Sequence, residues 1–127
     1  KTSRAGLYIH IEPKKSFYAC GLYRPDAPVL QKIRQEIDYN FSDFEKVIND
    51  KDFKATFKLG FGNALKNAPK GYDPSDPNIE FLKLKSFEAT TQIADEEFLK
   101  PTIVNKLISS FKTVNPLVAF LRNALEQ

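Results

Sequence analysis

The 127-residue chain has no methionine and no tryptophan, a single cysteine, a single histidine and only five glycines. Each scarcity excludes something. A lone Cys20 cannot close an internal disulfide, and that usage fits a reducing compartment, so a cytoplasmic location is expected. One histidine leaves the familiar zinc and iron ligand sets without enough members, so neither a metal nor a cofactor is expected. A carboxylate-only site for magnesium or calcium has no spacing to support it. The glycines do not fall into a phosphate loop or a dinucleotide fingerprint. No apolar run approaches the length of a bilayer crossing, and no signal peptide opens the chain. Nineteen Lys and Arg against sixteen Asp and Glu leave a net charge of +3. That is too small to mark a nucleic-acid or anionic-membrane partner. A chain without methionine reads as a processed product or as a piece of something longer.

What is present describes a folded domain. Hydrophobic residues make up 42% and charged residues 28% of the chain, and eleven Phe and five Tyr supply core volume. A chain of this length buries roughly two thirds of its unfolded surface, enough for one core, so a single domain over 1–127 is expected. Residues 6–12 alternate, with Leu7, Ile9 and Ile11 on one side and Tyr8, His10 and Glu12 on the other. That period reads as a half-buried strand. The stretch PKKS then turns the chain into FYACGLY, giving a β-hairpin. RPDAPVLQKIRQEIDYN reads as a helix, with Asp26 as cap, Pro28 in the first turn and an apolar stripe of Leu30, Ile33 and Ile37. SDFE at 42–45 has the form of a capping box and predicts a second, short helix to about residue 50. FKATFKL at 53–59 alternates as a strand, and SFEATTQI at 86–93 returns as another. Between them, PNIEFLKLK predicts a short helix starting at Asp76–Pro77. The C-terminus predicts two amphipathic helices joined at Asn115–Pro116. The first carries Ile103, Val104, Leu107, Ile108 and Phe111 on one face, the second Leu117, Phe120, Leu121 and Ala124. The expected class is α+β: a small antiparallel sheet, including the N-terminal hairpin, packed on helices and closed by a C-terminal αα-hairpin.

Four groups of residues can carry chemistry. His10 and Glu12 share a strand face, where they can hydrogen-bond, hold a ligand together or pass a proton. The bland alternative is a polar face turned to water. Cys20 depends on the hairpin register. With Pro13-Lys14-Lys15 as the turn, His10 faces Tyr18 and Cys20 shares their side. With an odd shift, Tyr18, Cys20 and Leu22 join Leu7, Ile9 and Ile11. The second register gathers the apolar residues and is preferred, which makes Cys20 a small buried hydrophobe. APKGYDPSDP at 68–77 is dense in turn chemistry and suits holding Tyr72 and Asp73 in place, or simply crossing over. Lys83 and Lys85 follow it, and Arg34 stands beside the apolar stripe of its helix. Together these cations can receive a carboxylate or phosphate.

The segments GLYIHIEP, GLYRP, LQKIRQEI, APKGYDPSDPNIEFLKLKSF and FLRNAL, in this order, resemble a widespread uncharacterised family. It is a conserved hypothetical domain of unknown function in bacteria and fungi. The resemblance covers nearly the whole chain, with the hairpin and the P-K-G-Y-D…L-K-x-K-S-F block as its specific parts. By position it takes in His10, Glu12, Arg34, Tyr72, Asp73, Lys83 and Lys85. It also implies an N-terminal helical portion, with an Asn-Asn…Trp-Phe motif, that this chain lacks, so the chain is expected to be the C-terminal portion of a longer domain. Where family members carry a small residue, this chain has Cys20. The resemblance implies no reaction. The expected function is the binding of a small molecule or anion, compatible with catalysis, at a polar site made of the hairpin face (His10, Glu12), Arg34, the Tyr72–Asp73 loop, Lys83 and Lys85. The alternative is a non-catalytic module that binds a protein.

Overall fold

A computed structural model describes residues 5–60 and 64–126. The first residues of the proline-rich central loop, 61–63, lie outside that set. The expected α+β class is what the chain forms. Its four-stranded antiparallel sheet has the order β1-β2-β4-β3. The strands are β1 (Gly6–His10), β2 (Phe17–Leu22), β3 (Lys58–Leu59) and β4 (Phe87–Gln92). Helices α1 (Ala27–Tyr39), α2 (Phe41–Ile48) and α3 (Lys51–Thr56) come between β2 and β3, α4 (Ile79–Leu82) precedes β4, and α5 (Ile103–Leu125) ends the fold.

The hairpin takes the preferred register. Leu7 faces Cys20, Ile9 faces Tyr18 and His10 faces Phe17. On the other flank Cys20 faces Ala89 and Leu22 faces Phe87. Strand parity therefore puts Tyr18, Cys20, Leu22, Phe87 and Ala89 on one face, and all five are buried. Helix α5 packs across β2 on that side and also meets α1, α2 and α3. Leu22, Ile33, Ile37, Phe44, Leu82, Phe87, Val114, Leu117 and Leu121 are fully enclosed. Each such side chain contributes about 1.5–3 kcal/mol relative to exposure. The helices cover the central strands but not the edge. Leu7 and Ile9 point to the helix side, and they stay exposed, as do Ile11 and, at the start of α5, Val104, Ile108 and Phe111.

Several local expectations are corrected. The C-terminal αα-hairpin is one continuous helix with Pro116 inside it. Pro116 removes an amide and leaves the Lys112 carbonyl without its helical donor, a cost of about 3 kcal/mol. Both residues face water. Val114, Leu117, Val118 and Leu121 are buried on either side of the proline, and burying several apolar side chains outweighs that cost. The strand read at 53–59 is helix α3 followed by the two-residue β3. Phe53 and Phe57 are both buried, and their four-residue spacing serves a helical turn as well as it serves alternation. Asp50 decides between the two, because its carboxylate accepts from the amide of Phe53. The capping box at Ser42 and Glu45 does not form. Asn40 is both the last cap of α1 and the first of α2, so Ser42 already lies inside the helix. The Phe41, Phe44, Phe81 and Phe120 rings fix that start by packing with centroids 5.2–6.2 Å apart. Asp26 holds the N-cap position of α1 with no side-chain cap hydrogen bond, while Pro28 lies in the first turn as expected. The helix begun at Asp76–Pro77 shrinks to the single turn of α4, capped at Asn78.

Candidate functional site

The other face of the sheet carries the even row of β1 and its partners: Tyr8 and His10, Phe17 and Ala19, Glu88, Thr90 and Gln92, and Lys58 of β3. No helix among the described residues packs across it, and it holds a cavity of about 640 Å³. That volume suits a small organic molecule. β4 supplies Glu88, Thr90, Thr91 and Gln92 to its wall, β2 supplies Phe17, β3 supplies Lys58, and the hairpin turn supplies Lys14 and Lys15. Tyr23, just after β2, and Thr56, the last residue of α3, complete the rim.

The backbone of the hairpin turn is pinned, while the Lys14 and Lys15 side chains stay exposed. The Lys15 amide donates to the Glu12 carbonyl at 3.0 Å. The Ser16 hydroxyl accepts from the Glu12 amide and donates to the Glu12 carbonyl, both at 2.9 Å. Lys14 takes a left-handed conformation with φ 65°, and its amide donates to Asp95 at 2.9 Å. Asp95 opens the 3-10 segment Asp95–Leu99, so the turn is tied to the chain beyond β4.

His10 and Glu12 do meet, with Nε2 and Oε1 2.9 Å apart on the open face. The imidazole stacks on the Phe17 ring at a centroid distance of 5.1 Å, and Tyr8 extends the row. Phe17 also lines the cavity, so the pair stands behind one of its walls.

The other expected site residues belong to the helix side. Arg34 is buried; its Nε donates to the Leu82 carbonyl at 2.6 Å and its Nη2 to the Leu84 carbonyl at 3.2 Å. The guanidinium thereby ties α1 to the end of α4, and burial pulls its pKa down from the usual arginine value. Tyr72 is half-buried near Arg34; burial, then the charge of Asp38, raises its pKa, against the pull of Arg34. Asp73 is occupied by its own turn, accepting from the Ser75 amide at 2.8 Å and the Ser75 hydroxyl at 2.7 Å. Those bonds hold its carboxyl below the usual range. Lys83 pairs with Glu80 at 3.1 Å. Lys85 is half-buried ahead of β4. None of Arg34, Tyr72, Asp73, Lys83 and Lys85 lines the cavity. The structure thus joins His10 to Glu12, and Arg34 to Tyr72, as separate groups on opposite sides of the sheet.

Cys20 is enclosed on the helix side, and burial, then the charge of Glu88, pushes its thiol pKa up. A thiol held protonated is a poor nucleophile. Among the described residues no group of three or more His, Cys, Asp or Glu is placed to hold a metal, and no helix is long and apolar enough to cross a membrane.

The sequence reading missed Lys14, Lys15, Lys58, Glu88, Thr90 and Gln92. A signal existed, since Glu88, Thr90 and Gln92 alternate with Phe87, Ala89 and Thr91 and so share a face. What the sequence could not supply is that β4 lies between β2 and β3, which sets this row beside Phe17 and Lys58.

No curated protein and no solved structure matches the chain. The pattern of one family, described as a conserved hypothetical protein, matches residues 1–120. That span takes in the hairpin, the whole sheet and most of α5, and the chain belongs to this family, DUF2461.

Proposed function

We propose that this domain binds a small organic anion in the trough on the open face of its sheet. The observation that carries the reading is the cavity of about 640 Å³ with Lys14, Lys15 and Lys58 around a polar strand floor and an aromatic wall. Lysines on a stapled turn and on a strand lose less freedom on binding than lysines on a free loop. The His10–Glu12 pair behind Phe17 is the group best placed to add proton transfer, which keeps an enzyme within this reading. A cytoplasmic setting belongs to the same proposal, supported by the single buried thiol. So does membership of a longer domain, supported by the uncovered apolar row Leu7, Ile9 and Ile11. That row, on an edge strand, is also what favours the second reading, a protein-interaction module.

Thermal unfolding in benzoate, acetate and phosphate tests the anion site. A ligand at a hundred times its dissociation constant stabilises the folded state by about 2.7 kcal/mol. Benzoate is expected to raise the midpoint for the parent chain and to lose most of that effect in a Lys14→Ala, Lys15→Ala double variant. An equal rise in both proteins, or none in either, removes the proposal.

A further inference from the structure

Phe17 is a half-buried ring stacked from one side. Its partner across the ladder on β1 is His10, whose imidazole lies 27° from the plane of the ring with centroids 5.1 Å apart. Glu12 holds that imidazole in turn, at 2.9 Å. Tyr8, also on β1, packs on the same ring at 5.8 Å. On its other flank Phe17 faces Gln92 of β4 and the cavity. The next positions along the trough are small: Ala19 of β2 faces Thr90 of β4, and Lys58 of β3 bounds the trough beyond them. Two strand spacings, about 9–10 Å, separate β2 from β3, which is room for a planar group standing over β4. The stack that runs from His10 to Phe17 therefore opens into the cavity, where one more ring would extend it.

Two cations stand beside that ring. Lys14 and Lys15 line the same cavity, and neither ammonium group has a hydrogen bond or ion pair among the described residues. Lys15 is two residues from Phe17, at most about 7 Å along the chain. One sugar spans such a separation between a stacked ring and a phosphate. Gln92, the residue opposite Phe17, carries an amide that both donates and accepts. That pair of functions matches the edge of an adenine. Thr90, the next residue on the same face, adds a hydroxyl to the floor.

We infer that the trough takes a purine nucleoside monophosphate, with its base stacked on Phe17, the edge of the base at Gln92 and the phosphate at Lys14 and Lys15. This rests on the anion-binding reading and names the ligand class of that same site. The two halves of the ligand are recognised by different physics. The phosphate is held by charge-assisted hydrogen bonds. The base is held by its π-face, and stacking on an aromatic side chain is worth at least about fivefold in affinity. His10 backs the ring and fixes the plane that the base meets.

Calorimetry with AMP, ribose phosphate and adenosine tests it, on the parent chain, on Phe17→Leu, on Gln92→Ala and on the Lys14→Ala, Lys15→Ala variant. The parent is expected to bind AMP at least about fivefold more tightly than ribose phosphate, which has lost the base. Phe17→Leu is expected to erase that preference while still binding ribose phosphate. Gln92→Ala, at an exposed position, is expected to reduce the preference and to leave ribose phosphate binding unchanged. The double lysine variant is expected to bind AMP no better than adenosine. Equal binding of AMP and ribose phosphate by the parent overturns the nucleotide inference and leaves the anion site standing. So does an undiminished preference in Phe17→Leu or, should that variant not fold, in Gln92→Ala, and so does a parent that binds benzoate but not AMP. A parent that binds none of AMP, ribose phosphate and benzoate overturns both.

Discussion

Arg34 is buried and Glu88 half-buried, and the fold treats their charges in opposite ways. Arg34 gives two hydrogen bonds to backbone carbonyls of Leu82 and Leu84, so its charge is matched and its role is to clamp two elements. At Glu88 burial acts instead, and it holds the carboxyl above its ordinary value of 4.5. The consequence for stability has a definite sign. Between the ordinary value and the raised one, the folded chain keeps a proton that the unfolded chain has lost, so this group's contribution falls as pH rises through that window. Below the ordinary value both states are protonated and the penalty vanishes. Glu88→Gln is therefore expected to be more stable than the parent at pH 7, with the difference shrinking towards pH 4, as read by urea unfolding at the two values. A parent that gains on the variant as pH rises would show that the carboxylate is paired. Arg34 was expected as a ligand contact because a cation beside an apolar stripe reads the same whether it faces a pocket or a carbonyl. Only the positions of Leu82 and Leu84, 48 and 50 residues away, separate the two.

At the scale of elements, the errors lie where a local signal competed with packing. SDFE has the composition of a capping box, yet the ring cluster of Phe41, Phe44, Phe81 and Phe120 pulls the helix start one residue ahead of Ser42. Asn115–Pro116 has the composition of a helix break, yet the buried residues on both sides keep α5 continuous. The stretch at 53–59 fits either period, and the Asp50 cap selects the helix. That cap gives a direct test. Asp50→Ala is expected to cost about 1 kcal/mol, because it strips the Phe53 amide of its acceptor, while Asp50→Asn or Asp50→Ser keeps most of it. Denaturant midpoints of the three variants measure the difference. The elements read correctly from the sequence, the β1–β2 hairpin, α1 and β4, are those in which period, turn residues and burial all agree.

For the whole molecule, Gly21 is the point where fold and cavity meet. The left-handed backbone there and the close approach of the Phe87 carbonyl let β4 pair with β2 at the head of the trough. Gly21→Ala is expected to destabilise the fold by more than about 3 kcal/mol, with a matching loss of cooperative thermal unfolding, whereas Gly71→Ala, at a φ of +92° but in open space, is expected to cost only the backbone strain. Equal effects at the two sites would mean that strain alone, and not the β2–β4 approach, governs Gly21. The sequence by itself determined the α+β class, the family and the parity of the first hairpin, which sets His10 on the face opposite Leu7 and Ile9. These are short-range properties, set by periods of two and four residues and by residue types that fix a backbone angle. Tertiary structure alone decided which polar residues share a cavity. It inserted β4 between β2 and β3, carried Lys58, Glu88 and the turn lysines to one trough, and left Arg34 and Tyr72 on the other side of the sheet. Strand order depends on how residues far apart in the chain bury their apolar faces against one another, and no local pattern records that.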